Sequence, residues 1–177
     1  MTCEKIYCNA VIDTDIQPVS TPVEPVSLDD MKEYMKVDYD DEDSFIQSLI
    51  TEAREWVERR CGISVIPKNI TAILQVLNSQ ELPYGPINTD IDITVSGNKN
   101  YTLTGIKFIS LNGYGIYEVN YNAGYTSVPE GIIGAIKSYV AYCFENRGDN
   151  LNIESSDNLF AKEARYKSSF FKRNIGF

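Results

Sequence analysis

Histidine is missing altogether from this 177-residue chain. Its absence removes the commonest general base and the usual serine–histidine and cysteine–histidine pairings. No catalytic residue is assigned, and the protein is not expected to be an enzyme. Cysteine is sparse: Cys3, Cys8, Cys61 and Cys143 are too scattered for a disulfide framework or for the paired spacing of a zinc site. Ordinary reduced thiols, no metal and no cofactor are therefore expected. No apolar run approaches the roughly 18 residues of a membrane-spanning helix, so no membrane partner is expected. The opening MTCEKIYCNAVID has neither the basic start nor the continuous apolar stretch of a signal peptide, which predicts a protein made in the cytoplasm.

Bases are also scarce, 16 Lys and Arg against 25 Asp and Glu, for a net charge of −9. The deficit is uneven. Residues 1–60 hold fifteen acids and six bases, 61–150 hold seven and five, and only 151–177 reverse the balance, with three acids and five bases. An acidic body repels duplex phosphates and argues against direct nucleic-acid binding. The short basic end fits an acidic or mixed protein surface better.

What is present divides the chain into a core between two arms. Residues 1–26 read as an extended N-terminal arm, because Pro18, Pro22 and Pro25 favour a polyproline-like path and forbid a helix. Ser27 then offers an N-cap to a short helix over about 28–37, with Asp29 and Asp30 where the helix dipole favours negative charge. The run DYDDED that follows lacks the central glycine and closing glutamate of a calcium loop, and reads as a turn with acids opening the next helix.

That helix, over about 41–61, places Phe45, Leu49, Ala53, Trp56 and Arg60 on one face, with Ile46, Ile50 and Val57 beside them. Glu55 and Arg59 form an outer i,i+4 pair, and Gly62 fits the left-handed cap. From about 63 to 122 the pattern turns to period two, broken by LPYGP, GNKN and NGYG, which predicts an inserted antiparallel β region.

Gly124 frees the backbone where the last strand turns, and Pro129 opens a third helix, over about 129–147, that Gly148 closes. Its apolar residues cover nearly half the circumference, more than one partner helix needs. The surplus makes Gly131, Ile132, Ile136, Tyr139 and Phe144 the candidate contact with a neighbouring subunit. The expected fold class is thus α+β: a small helical core spanning 27–148 with a β insertion, flanked by arms at 1–26 and 149–177. The second arm interleaves Phe160, Tyr166, Phe170, Phe171 and Phe177 with Lys162, Arg165, Lys167, Lys172 and Arg173. Such a segment suits an acidic protein groove, a nucleic acid, a membrane surface or its own domain.

Two stretches carry a resemblance. VSLDDMKEYMKVDYDDEDSFIQSLITEAREWVERRCG (26–62) resembles the opening helix pair of the head–tail connector, or head completion and adaptor, proteins of tailed bacteriophages. VNYNAGYTSVPEGIIGAIKSYVAYCFENRGD (119–149) is similar to the same family's strand, AGY turn, proline-started helix and ENR end. The resemblance implies a structural virion protein at the head–tail interface: a ring, commonly of twelve copies, below the portal, extending the channel through which genomic DNA passes without being bound. It further implies portal contact through the C-terminal segment, where Phe160, Arg165, Tyr166, Phe170, Phe171, Lys172, Arg173 and Phe177 are the candidates, and a next neck or tail protein on the opposite face. The sizeable β insertion and the two long arms depart from the compact family pattern.

Three rivals stand beside this reading. One is a different neck or tail-completion ring, one a nucleic-acid-binding module using the basic aromatic tail, and one a small hydrolase using the acids of DYDDED.

Overall fold

The computed structural model describes residues 9–19, 23–88, 90–97, 100–105 and 107–147. They form an α+β fold of two compact units, each assembled from separated stretches. The β unit takes the described residues up to 19 together with Pro67–Tyr125, and the helical unit takes Val23–Ile66 with the described residues from Thr126 onward. The N-terminal segment is thus divided: its described residues up to 19 share one body with the β-rich middle of the chain, and Val23–Val26 belong to the helical unit.

The helical unit contains α1 (Leu28–Met35), α2 (Asp43–Cys61) and α3 (Glu130–Glu145). Ser27 Oγ accepts from the Asp30 backbone N–H at 3.1 Å, the expected N-cap, and Lys36 ends α1 in the left-handed conformation. Gly62 ends α2 at φ 63°, its N–H donating to the Glu58 carbonyl. Pro129 lies one residue before α3, where its carbonyl accepts from Ile132 and Ile133 and its missing N–H leaves nothing unpaired. Met31, Ile46, Ile50 and Ile136 are fully buried. Phe45 departs from the predicted face: it is 37% exposed.

Among the described residues the β unit holds seven strands: β1 (Ala10–Pro18), β2 (Lys68–Val76), β3 (Ser79–Glu81), β4 (Thr94–Val95), β5 (Tyr101–Thr104), β6 (Phe108–Leu111) and β7 (Gly115–Ala123). One sheet runs in the order β1-β2-β7-β4 and a second in the order β3-β6-β5, antiparallel throughout. Period-two patterning sets the core. Ile70, Ala72, Leu74 and Val76 of β2 point inward with Tyr117, Val119 and Tyr121 of β7, and Ile109 and Leu111 of β6 join the same cluster. Each buried isoleucine, leucine or valine among them contributes about 1.5–3 kcal/mol by leaving water.

The N-terminal segment differs from the expectation of an arm along 10–18, where it is an edge strand paired residue by residue from Pro18↔Lys68 to Ala10↔Gln75. The alternation in AVIDTDIQ decides it: Ile16 packs against the β core while Asp13 and Asp15 face outward, and a register shift between Val11 and Asp13 marks a bulge.

Candidate interaction surfaces

The helices are fixed by ion pairs that consume most of the acidic run. Lys32 of α1 reaches Asp40 Oδ1 at 2.5 Å and Asp43 Oδ1 at 2.8 Å. Those hydrogen bonds, first from Asp40 and then from Asp43, push the ammonium pKa up to about 12. Arg147, the last residue of the ENR end, pairs with Glu42, and its guanidinium lies 4.4 Å from the Phe144 ring centroid and 5.7 Å from that of Phe45. Its hydrogen bond holds the Glu42 carboxyl below the usual range. The acids at 40, 42 and 43 therefore lock helix ends together. Among the described residues, no group of three or more Cys, Asp or Glu side chains gathers as a metal site would require.

A second ion cluster is invisible to simple patterning. Arg54 is only 5% exposed, with Nε 2.9 Å from Glu24 Oε2 and Nη1 2.8 Å from Glu58 Oε2. Thr51 Oγ1 donates to Glu24 Oε1 at 3.0 Å, and the Val65 N–H donates to Glu58 Oε1 at 2.8 Å. The segment before Ser27 is thereby tied to α2, and Val26 beside it is buried. The predicted Glu55–Arg59 pair is present at 3.7 Å, but on the exposed side.

The residues of α3 predicted to meet a neighbour lie elsewhere than on its surface. Ile132, Ile136, Tyr139 and Phe144 are all buried within the helical unit. The Tyr139 ring sits 5.2 Å from that of Trp56, and its hydroxyl donates to Glu52 Oε1 at 2.9 Å. Burial first, and then the Glu52 hydrogen bond, raises the phenol pKa. Two partner helices, α1 and α2, absorb the apolar width that exceeds the needs of one. Gly131 is half-buried, and the less covered strip of α3 continues through Gly134, Lys137, Ser138, Ala141 and Tyr142. Phe160, Arg165, Tyr166, Phe170, Phe171, Lys172, Arg173 and Phe177, the portal candidates, lie outside the described residues, as does Gly148.

On the β unit, a shallow cleft of about 160 Å³ is lined by Asn69, Thr71, Asp92, Thr94, Asn120 and Asn122 among others. Four of these groups bond one another: Thr71 Oγ1 donates to Asn120 Oδ1 at 2.5 Å and Asn122 Nδ2 to Asn69 Oδ1 at 3.0 Å. At that size it falls below the roughly 300 Å³ at which ligand pockets begin.

The family model described as phage gp6-like head–tail connector protein matches residues 25–169, which span both units. Among curated proteins none matches by sequence. Solved structures match by fold. A chain from the neck of an empty gene transfer agent particle computed with C6 symmetry superposes with a TM-score of 0.65 at 16% identity, covering 87% of this chain and 94% of that one. A chain from the virion of the native gene transfer agent particle gives 0.64 at 16%, covering 86% and 93%. One from the native neck computed with C12 symmetry gives 0.62 at 15%, covering 87% and 94%.

Proposed function

This chain belongs to the phage gp6-like head–tail connector family, and from that premise we propose that it forms an adaptor ring in the neck of a virion. In this reading the ring joins the portal vertex of the head to the next neck or tail protein and continues the channel through which the genome passes. The observation that carries the proposal is a family match extending through both units, not confined to one helix pair. Twelve copies are the number we favour. The similar gene transfer agent necks were computed with C6 and with C12 symmetry, and a twelvefold ring satisfies both.

The role is structural, with no chemistry to perform on the DNA. A net charge of −9 supports passage without adhesion, because a basic wall would hold many phosphates at once and slow transit. The C-terminal arm is the portal-binding element in this proposal. It pairs aromatic anchors with positive charge, and repetition around a ring multiplies a modest contact into a firm joint.

Deleting residues 159–177 tests that assignment. The truncated protein is expected to keep its circular dichroism spectrum and thermal transition but to lose attachment to portal-bearing heads. Phe170→Ala with Phe171→Ala should weaken attachment more than charge reversal at Lys172 and Arg173, since rim charges contribute less than buried aromatics. Normal decoration of heads by the truncated chain would contradict the portal role.

A further inference from the structure

Residues 28–41, covering α1 and the turn into α2, carry six acids and two bases, a net charge of −4. One of the two bases, Lys32, is already committed to Asp40 and Asp43. Met31 faces the core, so Asp29, Asp30, Glu33 and Tyr34 share the exposed face of α1. Asp38, Tyr39 and Asp41 continue that exposed surface along the turn, which Lys32 ties back to α1. Among the described residues, no base pairs with Asp29, Asp30, Glu33, Asp38 or Asp41. Two large aromatics are set among these acids: Tyr34 is 51% exposed and Tyr39 49%. Lys137 of α3 lies 5.9 Å from the Tyr34 ring centroid, so the surface reaches α3.

The chain leaves α3 at the edge of this surface. Arg147, the last described residue, pairs with Glu42, and Glu42 Oε2 also accepts from the Tyr39 hydroxyl at 3.2 Å. The thirty residues beyond Arg147 therefore start beside Tyr39. Of these, 159–177 carry five bases and one acid, a net charge of +4, interleaved with Phe160, Tyr166, Phe170, Phe171 and Phe177. The eleven residues between, 148–158, can span up to about 40 Å, whereas the eight residues of α1 extend about 12 Å. Reach is no obstacle.

Three features converge: opposite charge of equal size, aromatic side chains on both sides, and a chain exit beside the patch. A short tether also supplies an effective concentration in the millimolar range. A contact too weak to join separate copies is then filled within one chain.

We infer that in the free subunit residues 159–177 dock on the acidic, tyrosine-bearing face of α1 and the turn after it. The docked arm is held there until another surface competes for it. That consequence rests on the arm being the portal-binding element; the docking itself does not.

The test uses the full-length chain with Cys3→Ser, Cys8→Ser and Ser169→Cys, carrying a nitroxide spin label at position 169. Cys61 and Cys143 are buried and take no label. At low salt the NMR amide signals of residues 28–41 are expected to lose at least about half their intensity, relative to the reduced label. Raising salt from about 0.05 M to about 0.5 M shortens the screening length about threefold and should restore most of it. Asp30→Asn, Glu33→Gln, Asp38→Asn and Asp41→Asn together should restore it at low salt, with circular dichroism unchanged. Signals over 28–41 that keep full intensity at low salt overturn the inference, and so does a loss that neither salt nor the substitutions reverse. Mixing spin-labelled chains with separate isotope-labelled chains should abolish the loss. Its persistence in the mixture would assign the surface to a second copy's arm and overturn docking within one chain. None of these outcomes bears on the portal, which the deletion of 159–177 tests separately on portal-bearing heads.

Discussion

Replacing Arg54 with methionine removes the one cation shared by Glu24 and Glu58, and does so inside the helical unit. The Glu24 and Glu58 side chains are 12% and 6% exposed, so neither regains full hydration when the guanidinium leaves. The Thr51 hydroxyl still donates to Glu24 and the Val65 N–H to Glu58. Two buried carboxylates then lose the guanidinium that joined them. Stranding a buried charge in this way costs about 3–5 kcal/mol. At about 2–4 °C per kcal/mol for a chain of this length, the transition should fall by on the order of 10 °C.

Urea unfolding followed by Trp56 fluorescence reads the loss directly, because this sole tryptophan is buried against Tyr139 in the same unit. One further sign distinguishes stranded charge from lost packing: adding Glu24→Gln and Glu58→Gln should recover part of the loss. An Arg54→Met variant within about 1 kcal/mol of wild type would refute the reasoning, because the cluster would then behave as an exposed ion pair.

Two other outcomes follow from named groups. Glu42 is held below its ordinary carboxylate value of 4.5 by the Arg147 hydrogen bond, so the stability that this pair contributes is complete above that pH and is lost as pH falls through the lower folded pKa. Titration by NMR should show Glu42 returning to the ordinary range in Arg147→Ala, and an unmoved midpoint would contradict the pairing. Cys143 is buried, and burial, followed by the nearby Glu52 charge, pushes its thiol pKa up to about 11. In a chain carrying Cys3→Ser and Cys8→Ser, a thiol reagent at pH 8 should therefore react only after denaturant is added, and rapid labelling of the folded chain would contradict the burial.

The long α2, the β alternation and the caps at Ser27 and Gly62 were legible because each depends on local chemistry: periodicity, one hydroxyl, one glycine. The resemblance carried by 26–62 and 119–149 was legible because it rests on two distant stretches in a fixed order. β1 was hidden by its neighbours. Three prolines at 18, 22 and 25 read as an arm, whereas the strand lies almost wholly before them, and its partner β2 begins fifty residues further on. Arg54 and Glu58 were hidden for another reason. An i,i+4 ion pair on a helix has the same spacing whether it faces water or the core, and only the docking of Glu24 distinguishes the two. The apolar width of α3 was seen, but a single chain cannot show how many of its own helices will cover it. The sequence marks Ile132, Ile136, Tyr139 and Phe144 as apolar, and the fold determines that their partners lie within one chain.

The proposal of an adaptor ring is tested most directly by cryo-electron microscopy of the virion that carries this chain, with the neck reconstructed without imposed symmetry. The account predicts twelve copies in a closed ring between portal and tail, enclosing an open channel. A neck lacking this chain, or one holding it as isolated copies around another protein's ring, would contradict it.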